Sequence, residues 1–233
     1  GTGVAVSVAE TPVDDINAKL TLDALSGVTA HDVALPATFG VPDLAVAGTI
    51  QRLNAFAERY EPSGFREGVL YATGDSFDGD LYGFQADGDA YVMFYRRDWL
   101  EDPSERSAYE DRFGVALEKP RTWAELDRQM AFFHRPGEGR FGGAMFRTVG
   151  YVAWEWWVRL HAKGIWPLAP DLSPQIDSDA GVEALEEMSA AGRHQHPNVW
   201  SAGLFENWRL YERGEIYCNI GWGGTQKALN RPN

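Results

Sequence analysis

Apolar positions fall in short blocks along the chain, and the period within each block predicts its element. Residues 3–8 form a β-rich run. Ile16, Leu20 and Ala24 recur at helical spacing, with Gly27 as the stop. Residues 31–35 read as a short buried strand ended by Pro36, and residues 41–47 as a helix closed by Gly48. A further helix is predicted over residues 50–60, with Leu53, Phe56 and Ala57 on one side. This β-α-β-α order favours a parallel α/β sheet. Residues 61–81, with Gly64, Gly68, Gly74 and Gly79, read as loop. Residues 89–96 are apolar at odd and even positions, so that strand is expected to be covered on both faces.

The second half has clearer boundaries. Asp102 followed by Pro103 is a helix start, and Thr122-Trp-Ala-Glu125 is a capping box. Trp123, Leu126, Met130 and Phe133 give that second helix an apolar face. A strand follows over residues 141–146, then a helix over 151–163 ended by Gly164. Val182, Leu185 and Met188 define another helix, and Leu204, Trp208 and Tyr211 one more, closed at Gly214. Residues 215–222 are the last strand, with Ile216, Cys218, Ile220 and Trp222 on one face. Helix-rich regions flank residues 61–90, which suggests two α/β lobes joined near Asp89 and Ile220. Lobe one would span residues 1–90, with 221–233 returning to it, and lobe two residues 91–220. A double crossover of this kind forms a hinge, with ligands bound between the lobes. Asp89, Tyr91 and Gly221 are the hinge candidates.

Composition narrows the function. The chain has 233 residues, 44% hydrophobic and 24% charged, as an ordinary globular protein does. A net charge of −13 disfavours nucleic acid and anionic membrane surfaces. One cysteine, Cys218, allows neither an intrachain disulfide nor a cysteine-based metal site. No segment reaches the roughly 18 apolar residues of a membrane span. No signal peptide is recognisable, and without an initial Met a processed or truncated start is expected. The aromatic content is high, with nine Trp, nine Tyr and twelve Phe, and such side chains offer flat apolar faces with a polar handle.

Most candidate motifs reduce to turns. Gly137-Glu-Gly139-Arg-Phe-Gly142 fits a dinucleotide pattern, but it lacks the preceding strand and following helix. Asp75, Asp78 and Asp80 do not fit a calcium loop and read as a solvated turn. His194 and His196 have no third metal ligand nearby, so a loop before Pro197 is expected. Cys218 has no catalytic histidine indicated. Asp87 and Asp89 flank Gly88 at a strand entrance, with Cα atoms about 6–7 Å apart if extended. They can be a catalytic carboxylate pair, a turn, or acceptors for ligand hydroxyls. On the helix over residues 151–163, Trp156 shares a face with Val152 and Leu160 and is expected in the core. Trp154 points nearly opposite, with Tyr151, toward a cleft or a neighbouring element. Trp222 enters Gly223–Gly224, where it can cap the core or serve as a stacking platform.

Four stretches in this order resemble a known family. They are YGFQADGDAYVMFYRRDWLEDP at Tyr82–Pro103, KPRTWAELDRQMAFFH, LYERGEIYCNIGWGG, and the early run GTGVAVSVAETPVDDINAKLTLDALSG followed by Asp32–Val33. Together they resemble extracellular solute-binding proteins of bacterial ABC importers, in the sugar-binding branch. The resemblance covers nearly the whole chain. It departs at Gln85, where the family usually has Pro, and at Cys218, where it has Met or Ala. It implies an α/β, two-lobed periplasmic-binding-protein-like fold of the class II type. A first strand and helix before Gly3 and a long C-terminal portion of the family pattern are missing, so a fragment with lobe one incomplete is expected.

The function implied is the substrate-binding component of an ABC importer, without catalytic activity or cofactor. It would capture a carbohydrate in the inter-lobe cleft and deliver it to membrane permease subunits. A monomer is expected, periplasmic or extracellular as a membrane-anchored lipoprotein. Stacking falls to Trp222, Trp154 with Tyr151, and Phe39, an aromatic that follows the Asp32–Val33 strand in the family. Hydroxyl contacts fall to Gln85, Asp87 and the backbone of Gly223 and Gly224. The alternatives are a glycoside hydrolase using Asp87 or Asp89, and a binder of a non-sugar solute such as a polyamine or peptide.

Overall fold

The structure is a computed structural model and describes residues 3–12, 15–28, 30–86, 90–225 and 229. Its contacts form two compact units, residues 1–89 and 90–233.

In the first unit, α1 is Ile16–Leu25, α2 Val41–Val46 and α3 Asn54–Tyr60. A two-stranded antiparallel hairpin, β1 Ser76–Phe77 and β2 Asp80–Leu81, occupies the stretch expected to be loop. Its turn is Asp78–Gly79, with φ of +50° and +81°. Asp-Gly is a strong signal for such a two-residue hairpin turn, because both positions need positive φ. The hairpin also explains why α3 starts later than predicted. Leu53 donates its backbone N–H to Leu81 O at 2.7 Å, and Asn54 Oδ1 accepts from Leu81 N at 3.2 Å. Those pairings tie Leu53 and Asn54 to β2 where α3 begins.

Two expectations for this unit fail. Residues 3–8 and 31–35 are not strands, and the parallel sheet they were to build is absent among the described residues. Val33 is 83% exposed, and Val4, Val6 and Val8 also face solvent. A strand exists only where a neighbour completes its hydrogen-bond ladder. These residues have the side chains of strands but no ladder partner among the described residues.

The second unit has β3 Tyr91–Tyr95, α4 Arg97–Glu101, α5 Pro103–Phe113, α6 Trp123–Phe133, β4 Phe141–Ala144, α7 Val152–Ala162, α8 Asp179–Ala191, α9 Leu204–Glu212 and β5 Ile216–Trp222. The strands form a mixed sheet in the order β3-β5-β4, with β5 antiparallel to β3 and parallel to β4. β5 is central and buried on both faces up to Trp222. β3 is an edge strand, so it is not covered as expected: Tyr91 is 42% exposed, and Val92 is also exposed.

The predicted helix starts form as read. Asp102 accepts from Ser104 N at 2.8 Å and Glu105 N at 3.1 Å. Thr122 Oγ1 accepts from Glu125 N at 3.2 Å, while Glu125 reaches back to Arg121 N at 2.7 Å, one residue beyond the usual box. α6 buries Leu126, Met130 and Phe133, and Tyr217 donates its hydroxyl to Gln129 Oε1 at 2.6 Å. α9 covers β5 too, where Asn219 Nδ2 donates to Asn207 O at 3.0 Å.

The stretch from Gly137 turns at Gly139, φ +71°, and its last two residues, Phe141 and Gly142, open β4. Gly142 is needed for another reason: a Cβ there would lie 2.3 Å from Met130 O, where β4 meets α6. The face of α8 differs from its prediction. Gly181, Ala184, Met188 and Ala191 are buried, while Val182 and Leu185 are 48% and 56% exposed. Small side chains let α8 come close to α7, close enough for Trp156 Nε1 to donate to Gly181 O at 3.0 Å. Close backbone approach decides this face more than side-chain hydrophobicity does.

Candidate ligand-binding site

One end of the second unit's sheet gathers aromatic side chains from four segments. Tyr91 opens β3 and sits across from Trp222, the last residue of β5. Phe146 follows β4, and Tyr151 and Trp154 stand at the start of α7. Tyr91, Trp154 and Trp222 form a near-equilateral triangle, with ring centroids 5.9, 5.8 and 5.8 Å apart. Phe146 stacks on Trp222 at 5.7 Å, and Tyr151 meets Trp154 edge-on at 4.8 Å. Trp208 of α9 meets Trp222 edge-on at 5.5 Å and donates its indole N–H to Ile220 O at 3.1 Å. Aromatic pairs favour these offset and edge-to-face arrangements. The rings touch one another, so a ligand would lie on this cluster rather than between its members.

Local backbone fixes the cluster's edge. Trp222 N donates to Thr225 Oγ1 at 3.2 Å, and Thr225 Oγ1 donates to Trp222 O at 2.7 Å. Gly223 and Gly224 between them are exposed. Gly221 is required next to this turn, since a Cβ would lie 2.7 Å from Thr225 Oγ1 and 2.9 Å from the Phe94 ring. Burial pushes the Tyr91 phenol above its ordinary value, so it stays a neutral hydrogen-bonding group.

Tyr151, Trp154, Trp222, Gly223 and Gly224 therefore come together as one patch, with Tyr91 and Gly221 beside them. The two readings of Trp154 and Trp222 merge, because each is half-buried and packed against its neighbours. Trp156 is only half-buried rather than core, its indole spent on α8. Phe39 and Gln85 belong to the first unit. Phe39 is mostly exposed, and Gln85 Oε1 accepts from Tyr71 N at 3.4 Å. Asp87 and Asp89 lie outside the described residues. Asp75 is buried rather than solvated, and burial raises its carboxyl pKa. Asp80, the first residue of β2, pairs with Arg52 at 2.9 Å.

The first unit also holds an open polar pocket of about 360 Å³, lined by Asn54, Glu58, Glu61, Arg66 and Ser76 among others. None of the predicted contact residues lines it. His196 Nδ1 accepts from Asn198 N at 3.1 Å, and the His194 ring lies 5.4 Å from that of His134. No group of three or more His, Cys, Asp or Glu that could hold a metal occurs among the described residues. Cys218 is buried, and burial raises its thiol pKa well above the ordinary value. No described helix is long and apolar enough to cross a membrane.

Sequence reasoning missed Phe146 and Trp208 as members of the cluster. It also missed a largely buried ionic network formed by Asp127, Arg147, Glu155 and Arg159. Polar residues one position away from aromatic ones, as in Phe146–Arg147 and Trp154–Glu155, were the available signal.

Comparison with solved structures shows the fold. An ABC transporter solute-binding protein from Thermotoga lettingae, bound to α-D-tagatose, superposes with a TM-score of 0.79 at 19% identity. The match covers 98% of this chain and 58% of that one. A solute-binding protein from Agrobacterium radiobacter K84, in complex with ribitol, gives 0.78 at 17% identity over 95% of this chain and 54% of that chain. Maltose-bound MalE3 of T. maritima gives 0.70 at 18% identity, over 95% and 54%. The chain thus spans little more than half the length of these proteins. No curated protein sequence matches it significantly. Residues 1–232 match the pattern that defines the bacterial extracellular solute-binding proteins, and the chain belongs to that family.

Proposed function

We propose that the protein is the substrate-binding component of an ABC importer and binds a carbohydrate on the aromatic patch of its second unit. The observation that carries this reading is the Tyr91–Trp154–Trp222 triangle, with ring centroids 5.8–5.9 Å apart. Sugars present C–H faces that stack on such rings, while their hydroxyls take hydrogen bonds at the margin. Trp154, Trp222 and Tyr151 supply the stacking face. The backbone of Gly223 and Gly224 supplies polar contacts, and Phe39, Gln85 and Asp87 are the contacts expected from the first lobe. Asp89, Tyr91 and Gly221 form the hinge, and residues 221–233 return to the first lobe. The working protein is a monomer outside the cytoplasm that hands its ligand to permease subunits. Family membership and the ligands of the structural neighbours support binding without catalysis over the glycoside hydrolase alternative.

The test is a thermal-shift screen with maltose, maltotriose, D-mannitol, ribitol and D-tagatose against spermidine and short peptides. A ligand at about one hundred times its Kd stabilises the folded state by about 2.7 kcal/mol, an easily read shift. A sugar or polyol should raise the melting temperature, and Trp222→Ala should abolish that rise. A shift with spermidine or peptide and none with any sugar overturns the carbohydrate reading. Turnover of maltotriose would overturn binding without catalysis.

A further inference from the structure

We infer that the Arg147–Glu155 ion pair is a positioning device that sets the geometry of the aromatic patch. This rests on the patch being the ligand site. Arg147 directly follows Phe146, and Glu155 directly follows Trp154. Their side chains meet, with Arg147 Nη2 donating to Glu155 Oε1 at 3.1 Å and lying 2.9 Å from Oε2. The bond ties together two backbone segments that carry two adjoining walls of the patch, where the Phe146 and Trp154 rings meet edge-to-face at 6.1 Å. The chain between them turns at Thr148–Gly150. There Thr148 O accepts from Tyr151 N and Val152 N, Val149 is fully exposed, and Gly150 is at φ +94°. The ion pair closes that loop from the inside.

The pair is itself fixed. Arg147 Nη2 also donates to Met188 O of α8 at 2.8 Å. Arg159 donates its Nε to Glu155 Oε1 at 3.1 Å and forks onto Asp127 of α6 with two bonds of 2.7 Å. Trp123 lies against the Arg159 guanidinium at 4.3 Å. Glu155 and Arg159 are 1% and 0% exposed. Buried ion pairs of this kind seldom stabilise a fold more than well-packed apolar residues would, because desolvation offsets their attraction. What they supply is direction: planar guanidinium groups hold their partners in few arrangements, and Arg159, forked onto Asp127, also fixes Glu155 from the other side. Placing that constraint one residue behind Phe146 and Trp154 fixes where those rings stand.

The test separates positioning from stability. Arg147→Lys keeps the charge and loses the planar guanidinium whose Nη2 reaches both Glu155 and Met188 O, and Glu155→Gln keeps the shape and loses the charge; two variants are used so that misfolding of one leaves the other to decide. Asp127→Asn loosens the same network on the side away from the rings. In the full chain, Arg147→Lys or Glu155→Gln should change the near-ultraviolet circular dichroism and weaken maltotriose binding by about tenfold or more. Asp127→Asn should lower the melting temperature while leaving the spectrum intact and maltotriose affinity within about twofold. Unchanged spectra in Arg147→Lys and Glu155→Gln, or an equal change in Asp127→Asn, overturn the inference. The spectrum is read without ligand, so it decides this point even if maltotriose does not bind the unsubstituted protein.

Discussion

The two units use similar residues to opposite effect. In residues 90–233 the apolar side chains of the strands are buried around β5, with Ile216, Tyr217 and Cys218 inaccessible to solvent. In residues 1–89, Val4, Val6, Val8, Val33 and Leu35 are as strand-like, yet they are exposed, and the described apolar core there is Val41, Leu44 and Leu81. The difference lies in hydrogen-bond partners, not composition. A helix satisfies its backbone internally, so α1–α3 form in either setting. A strand depends on a neighbour that can be far away in sequence, and β5 finds two.

Core truncation should show this contrast most strongly. Phe133 is fully buried, with its ring 4.4 Å from Tyr217. Phe133→Ala should cost about 3–5 kcal/mol in chemical denaturation. Val33→Ala should stay within about 0.5 kcal/mol, as exposed substitutions do. A comparable loss at Val33 would mean that residues 31–35 are packed in solution, and the contrast between the units would be lost.

Acid should move the two units in opposite directions. Burial lowers the pKa of His194, reinforced by His134 and Arg193, and burial likewise lowers that of His196, against the pull of Glu215. Both bind protons less readily in the fold than in the unfolded chain, which takes them up near pH 6.5. Their contribution is complete above about pH 6.5 and declines as pH falls toward the folded-state values. In the first unit, burial raises the Asp75 pKa, opposed by the Gln85 N–H and Arg66. A raised carboxyl has the reverse sign: its contribution is present below the ordinary carboxylate range and is lost as pH rises through the folded value. Hydrogen exchange followed from pH 7 to 5 should show amides of β4 and β5 losing protection. His194→Gln with His196→Asn should flatten that trend. A slope unchanged in the double variant would leave the acid response to other groups.

Legibility follows the same division. The helices and their stops were readable because their signals are local: Gly27, Gly48, Gly164 and Gly214 all adopt the positive φ that ends a helix. β5 was readable because its apolar run ends in Trp222 and two glycines. The sheet partners were not, since nothing local says that β5 runs antiparallel to β3 and parallel to β4. Half of the patch was legible. Tyr151, Trp154 and Trp222 announced themselves as aromatic residues at element ends. Phe146 and the Arg147–Glu155 link needed the fold, because their meeting depends on how α7 leaves β4. The Asp78–Gly79 turn is a local signal too, masked by the glycines around it, which favour loop.

Helix caps give the smallest and most local version of the comparison. In the second unit, Asp102, Thr122 and Ser178 at the starts of α5, α6 and α8 each accept a backbone N–H from the turn they begin, while α4, α7 and α9 start without a side-chain cap bond. In the first, the residues at those positions in α1, α2 and α3 are Asp15, Gly40 and Leu53, and no side-chain cap bond is made. Gly and Leu have no acceptor to offer. Asp15 has one, but its backbone is already in the helical region at φ −103° and ψ −19°, not in the extended region that Thr122 adopts at φ −131° and ψ 160°. An extended backbone aims the side-chain oxygen at the N–H groups two and three residues on, and a helical one does not. Thr122→Ala should therefore cost about 1 kcal/mol and Asp15→Ala a few tenths at most, read as midpoints of urea unfolding. Equal losses would show that α1 is capped in solution as α6 is, and that the first unit is more fully organised than its exposed valines suggest.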